Sequence, residues 1–100
     1  MNDIAPDVIY RQTENALIKE IEDELIITIL KNEGFQSSDN LIYTTNKTGS
    51  VIWKRIDGQT KLKDLIKTLS EEYNASADII EKDVTAIVKD FLQKNLIYPI

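Results

Sequence analysis

Residues 41–58, LIYTTNKTGSVIWKRIDG, constrain the fold more than any other part of the chain. Leu41, Ile42, Tyr43, Thr44 and Thr45 form a β-branched and aromatic run that suits a pleated, half-buried strand. Asn46 follows at once, and its side chain can accept a hydrogen bond from the first free N–H groups of a helix. Over residues 47–56, Val51, Ile52 and Ile56 fall inward with Trp53 beside them, and Gly58 can take the left-handed conformation that ends a helix. A strand therefore feeds directly into a helix, and the rest of the chain has to pack around that corner.

Upstream, ALIKEIEDELIITIL at residues 16–30 alternates apolar and polar positions on either side of the acidic cluster Glu22-Asp23-Glu24, the pattern of a hairpin. A helix competes, because Leu17, Ile21, Leu25 and Ile29 also recur at i, i+4 spacing, and periodicity alone does not separate the two. The run Ile26-Ile27-Thr28-Ile29 favours strands, since β-branched side chains are stiff at χ1 and fit a pleat better than a helix. Residues 32–40, NEGFQSSDN, are rich in turn formers and read as a surface loop. Residues 1–15 carry weak signals and read as a flexible or loosely docked arm, with Val8, Ile9 and Tyr10 as its most strand-like part.

Downstream, Thr60 is the expected N-cap of a second helix whose Leu62, Leu65, Ile66, Leu69 and Tyr73 keep helical spacing. A third helix starts near Ser76 or Asp78, where Asp78-x-x-Glu81 resembles a capping box, and ends near Lys94 with Asn95 as terminator. Its apolar stripe is Ile80, Val84, Ile87, Val88, Phe91 and Leu92, and Asp83, Ile87 and Asp90 lie along one margin. Leu96, Ile97 and Tyr98 make a short apolar tail closed by Pro99, which pairs with a strand or caps the core. The expected order is three strands, then three helices: an α+β domain over residues 16–100, behind the arm.

Composition narrows the chemistry. At 100 residues with 42% hydrophobic and 29% charged side chains, the chain has the make-up of one ordinary globular domain. It contains no cysteine and no histidine, so disulfides, thiolate chemistry and the usual zinc ligands are all missing. Glu20, Glu22, Asp23 and Glu24 lack ordered ligand spacing and read as a solvated turn, so no metal and no cofactor are expected. With 3 glycines and no Gly-rich phosphate loop, an enzyme is not expected either. The N-terminus has neither a basic n-region nor an apolar h-region, which reads as cytoplasmic.

Charge is unevenly placed within the net −5: residues 1–45 hold 3 basic and 9 acidic side chains, and residues 46–100 hold 9 and 8. Nonspecific nucleic-acid binding needs clustered Lys and Arg, and that balance works against it. Strands with three helices can also build a winged helix that binds DNA, yet residues 81–94 hold three acids and three lysines and form a neutral helix. A general protein-interaction module is the other alternative, and an exposed strand edge allows homodimerisation. Trp53, in the middle of a capped helix, reads as core rather than as a stacking platform.

The runs IYTTNKTGSVIWKRIDG, LKDLIKTLSEEYNAS, IEKDV and FLQKNLI, in this order, resemble the PqqD-like family, the peptide-recognition elements of ribosomally made, post-translationally modified peptides. Asn46, Thr48, Gly49, Ile52, Trp53, Asp57, Gly58, Glu72, Tyr73, Asp83 and Val84 carry the likeness; Thr45 and Asn95 depart from it. The resemblance implies a small winged helix-turn-helix-like fold and a non-catalytic role. It further implies that a precursor's leader peptide adds as an antiparallel strand to the strand at 41–45, third in the expected order, in a groove against the third helix. A modifying enzyme, of radical SAM or leader-peptidase type, is the implied second partner. The peptide-binding candidates are then Leu41, Ile42, Tyr43, Thr44 and Thr45 on the strand, with Ile80, Asp83, Val84, Ile87, Asp90 and Phe91 on the helix. A flexible leader must be ordered on docking, so binding of about −8 to −9 kcal/mol is expected.

Overall fold

The computed structural model describes residues 6–29 and 41–100, so the loop read at 32–40 lies outside the described residues. In chain order the elements are β1 (Tyr10–Gln12), β2 (Ala16–Ile21), β3 (Glu24–Ile29), β4 (Leu41–Thr44), α1 (Lys47–Arg55), α2 (Leu62–Tyr73), α3 (Ala77–Gln93) and β5 (Ile97–Pro99). The domain is α+β, with the expected three-stranded antiparallel sheet, β2-β3-β4, and three helices. A second sheet, in which β1 pairs antiparallel with β5, joins the two ends of the chain. Among the described residues no helix is long and apolar enough to cross a membrane.

The hairpin reading holds over Ala16–Ile29, the described part of residues 16–30. Ile18 pairs with Ile27, Lys19 with Ile26 and Ile21 with Glu24, around a tight turn in which Glu22 and Asp23 take positive φ of 50° and 73°. Positive φ at both central residues matches the right-handed twist of the flanking strands, which is why such short turns are favoured in hairpins. The pairing sends Leu25 and Ile27 to the helix side, where both are buried, and leaves Ile26 on the outer side. β4 continues the sheet by pairing Tyr43 with Ile27 and Thr44 with Ile26.

The helices form much as their patterns direct. Asn46 caps α1, its Oδ1 accepting from the Gly49 N–H at 2.8 Å. Ser76 caps α3 by accepting from the Ile79 N–H, so the serine, and not a box between Asp78 and Glu81, starts that helix. Thr60 is not the cap of α2. That position falls to Lys61 without a side-chain bond, because Thr60 is occupied by Asp57: the Thr60 N–H donates to Oδ1 at 2.9 Å and its Oγ1 to Oδ2 at 3.1 Å. Asn95 ends α3 with the expected positive φ, 61°; Gly58 also has positive φ, 78°, but α1 ends before it, at the extended Ile56.

Ile52, Trp53, Leu65, Leu69, Val84, Val88 and Phe91 fill one core between the helices and the inner side of the sheet. Trp53 and Tyr43 each meet the Phe91 ring edge to face, with centroids 5.5 and 5.7 Å apart. Such pairs add to the burial energy because ring edges and faces carry opposite partial charge. Tyr73, the last residue of the α2 stripe, is exposed and outside this core.

Residues 6–15 dock against the domain. Tyr10 is buried, and the Val8 and Pro6 carbonyls accept from the Leu62 and Lys63 N–H groups at 3.0 and 2.9 Å. The tail takes both of its expected roles: it pairs as β5 with β1, and Leu96 and Ile97 are buried in the core.

Candidate functional site

Backbone alternation shows which groups of β4 are free. The Thr45 N–H donates to the Leu25 carbonyl at 2.9 Å, so residue 45 faces β3. In an antiparallel ladder successive residues turn their N–H and C=O to opposite sides, which makes Tyr43 face β3 as well and points the backbone groups of Ile42 and Thr44 away from it. Among the described residues β4 has no strand on that far side. Side chains alternate along the perpendicular direction. Tyr43 turns to the helix side against Phe91, whereas Ile42 and Thr44 are exposed on the outer side.

Thr45 has a different use. Its hydroxyl accepts from the buried Leu25 N–H at 3.1 Å while its own N–H bonds the Leu25 carbonyl, so it locks the register of β4 to β3. Gly49 sits against it: a Cβ there would lie 3.1 Å from the Thr45 Cβ.

A polar tie sets the distance between β4 and α3. The Tyr43 hydroxyl donates to Asp90 Oδ2, and Lys94 Nζ reaches Asp90 Oδ1 at 3.1 Å while lying 5.7 Å from the Tyr43 ring centroid. The Tyr43 hydrogen bond holds the Asp90 carboxyl below its usual range, and Lys94 adds to that effect. Burial pushes the Tyr43 phenol up, and the bond to Asp90 pushes it further. Both changes keep the pair as phenol and carboxylate across the neutral range.

The residues picked out on α3 divide into two groups. Asp90 and Ile87 are half-buried on the margin that faces β4, with Phe91 wholly buried behind them as support for Tyr43. Asp83, Ile80 and Val84 lie towards the start of α3, where with Lys47, Val51 and Tyr73 they line a separate apolar cleft between the helices. Ile80 and Val84 are buried, so only their edges reach that cleft. Lys94 was not singled out in the sequence; its signal is the i, i+4 spacing from Asp90. The site offers unpaired main-chain groups and an apolar margin. Among the described residues no cluster of three or more side chains could hold a metal.

Comparison with known proteins gives a family and a fold. The family described as "Coenzyme PQQ synthesis protein D (PqqD)" matches residues 29–97. A comparison with curated protein sequences finds no match. Among solved structures, "TbiB1 in Complex with the TbiA(beta) Leader Peptide" superposes with a TM-score of 0.70 at 16% identity, covering 87% of this chain and 93% of that one. At that identity the likeness is one of fold. The family match spans β4, all three helices and the start of β5, and on that match the chain belongs to the PqqD family.

Proposed function

We propose that this protein recognises the leader segment of ribosomally made, post-translationally modified precursor peptides, binding it as an added antiparallel strand along β4. The carrying observation is the free side of β4, with the outward main-chain groups of Ile42 and Thr44 set beside the Ile87 and Asp90 margin of α3. An edge strand of this kind gives affinity through main-chain hydrogen bonds, and the flanking margin gives selectivity through side chains. Membership of the PqqD family and the leader peptide bound to the TbiB1 neighbour both support the reading.

In this mechanism the Tyr43–Asp90–Lys94 tie holds the groove at one width before the peptide arrives, so ordering cost falls on the peptide alone. The chain carries no step of chemistry itself; it presents the leader to a separate modifying enzyme, of radical SAM or leader-peptidase type. The leader is released afterwards, which suits a dissociation constant near a micromolar, about −8 kcal/mol.

The test is an amide hydrogen-exchange and NMR titration with the leader of a precursor encoded beside this chain, against a scrambled leader. Protection gained at the Ile42 and Thr44 amides, with shifts at Tyr43, Ile87 and Asp90, is the expected result. Equal response to both peptides, or shifts confined to the cleft at Val51 and Tyr73, would remove the edge-strand reading.

A further inference from the structure

Among the described residues no strand or helix covers the outer side of the β2-β3-β4 sheet. By the register, Leu17, Thr28 and Ile42 form one row across the three strands, Lys19, Ile26 and Thr44 the next, and Ile21 with Glu24 the last. Leu17 is 60% exposed, Ile42 64% and Ile21 46%. A sheet with one solvated face normally alternates apolar inward and polar outward. Here the outer face breaks that pattern in all three strands, and contiguous exposed apolar patches on soluble domains mark places where another surface docks.

Charge identifies the kind of surface. At the turn end of the face a shallow recess is lined by Ile21, Ile26 and Thr44, with Glu22 and Glu24 at its sides, and Asp23 stands at the turn itself. None of the three acids forms an ion pair among the described residues. Glu20 is turned to the other side, where it pairs with Lys54 of α1 at 2.8 Å. Among the described residues Lys19 is the face's one cation. Of these residues a second copy of the chain would bring one lysine against three further acids, so self-association through this face is disfavoured. A flexible peptide finds no free main-chain groups in the middle of a paired sheet, and its place is the β4 edge.

We infer that the outer face of the β2-β3-β4 sheet is the docking surface for the modifying enzyme, through a patch with an apolar centre and lysine or arginine residues where it meets the Glu22–Asp23 turn. The inference rests on the carrier reading above only in naming the modifying enzyme as the partner. The two surfaces are separate: Tyr43 turns to the α3 side against Phe91 while Ile42 is exposed on the other side of the sheet. The protein can hold leader and enzyme together, and the acidic rim steers the basic patch on approach, a contribution that salt weakens.

The experiment measures binding of the purified enzyme encoded beside this chain to the wild-type protein, to a Leu17→Ser/Ile21→Ser double variant and to a Glu22→Lys/Glu24→Lys double variant, each with leader affinity measured in parallel. These positions are exposed, so circular dichroism should be unchanged in both variants. Each pair should weaken enzyme binding about tenfold or more. The charge pair should also remove most of its salt dependence, with leader affinity kept within about twofold. Enzyme binding that neither variant alters, or no enzyme binding by the wild type, overturns the proposal. So does a wild-type dimer in sedimentation that Leu17→Ser/Ile21→Ser dissociates. Failure of leader binding with enzyme docking intact would sink the carrier reading and leave this surface standing.

Discussion

The small sheet and the large one treat their edges in opposite ways. On the outer side of β1 the Gly58 N–H donates to the Tyr10 carbonyl at 3.0 Å and the Leu62 N–H to the Val8 carbonyl at 3.0 Å, while Ile100 N–H to Ile9 and Thr13 N–H to Leu96, both at 2.8 Å, extend the ladder to β5. The loop at Gly58 and the start of α2 close that β1 edge. β4, four residues long, has β3 on one side and no described strand on the other. An exposed edge risks unwanted pairing, and proteins commonly cover or shorten it. The contrast shows that this chain can close an edge, which makes the β4 edge, open beside α3, informative; β2 is the other edge of the same sheet.

The largest effect should come from opening the closed region. Tyr10→Ala removes a buried aromatic that pins the arm to the core, and should cost about 3 kcal/mol in urea unfolding. Amide exchange should rise in residues 6–12 and 97–100 while leader affinity, measured on folded protein, is retained. If leader binding were lost with the arm, the two regions would not be independent.

Thr45→Val tests what holds β4 in register. It leaves the buried Leu25 N–H without its 3.1 Å acceptor and should cost about 2 kcal/mol, read by denaturant midpoint and by faster exchange along β3 and β4. Gly58→Ala should cost about 1 kcal/mol. Its added Cβ would sit at an ordinary 3.5 Å from the Arg11 Cβ, so the loss comes from a φ of 78° rather than from a clash.

Tyr43→Phe should cost no more than Gly58→Ala, about 1 kcal/mol near neutral pH, because it deletes one partly exposed hydrogen bond. Asp90 is lowered in the folded protein, first by that bond and then by Lys94, so its contribution is present above the unfolded value of about 3.9 and is lost as pH falls through the folded value. The gap between wild type and variant should therefore stay level from about pH 5 to 8 and shrink below about pH 4. A gap that widened in acid would mean that Asp90 is not the partner that matters.

Much of the fold was legible because local chemistry and global packing agree. Asn46 and Ser76 are short polar residues placed just before apolar periodicity, and both cap as that placement predicts. The β-branched run at Ile26–Ile29 decided the hairpin against the helix. The reading failed where a competing partner was out of view. Thr60 has the right side chain for an N-cap, but Asp57 three residues earlier captures it. The β1–β5 sheet joins residues nearly ninety positions apart, and three-residue strands leave too little period to detect.

The site was legible as a strand and a helix, less so residue by residue. Strand alternation separates Tyr43 from Ile42 and Thr44, and a peptide would meet the side chain of the first and the main chain of the other two. Listing an apolar helical stripe cannot tell a buried supporter such as Phe91 from a half-buried margin such as Ile87, since both are apolar and the difference lies in what packs against them. Lys94 enters the site only because Tyr43 brings Asp90 to β4.

The most direct test is leader affinity in an Ile42→Pro variant. Proline at this position removes an N–H that points away from β3, so the β3–β4 ladder is kept, and edge strands tolerate such a proline. If the leader adds to β4 as a strand, affinity should fall about tenfold or more, roughly 1.4 kcal/mol, with the unfolding midpoint little changed. An affinity equal to wild type in a folded Ile42→Pro protein would contradict strand addition at this edge.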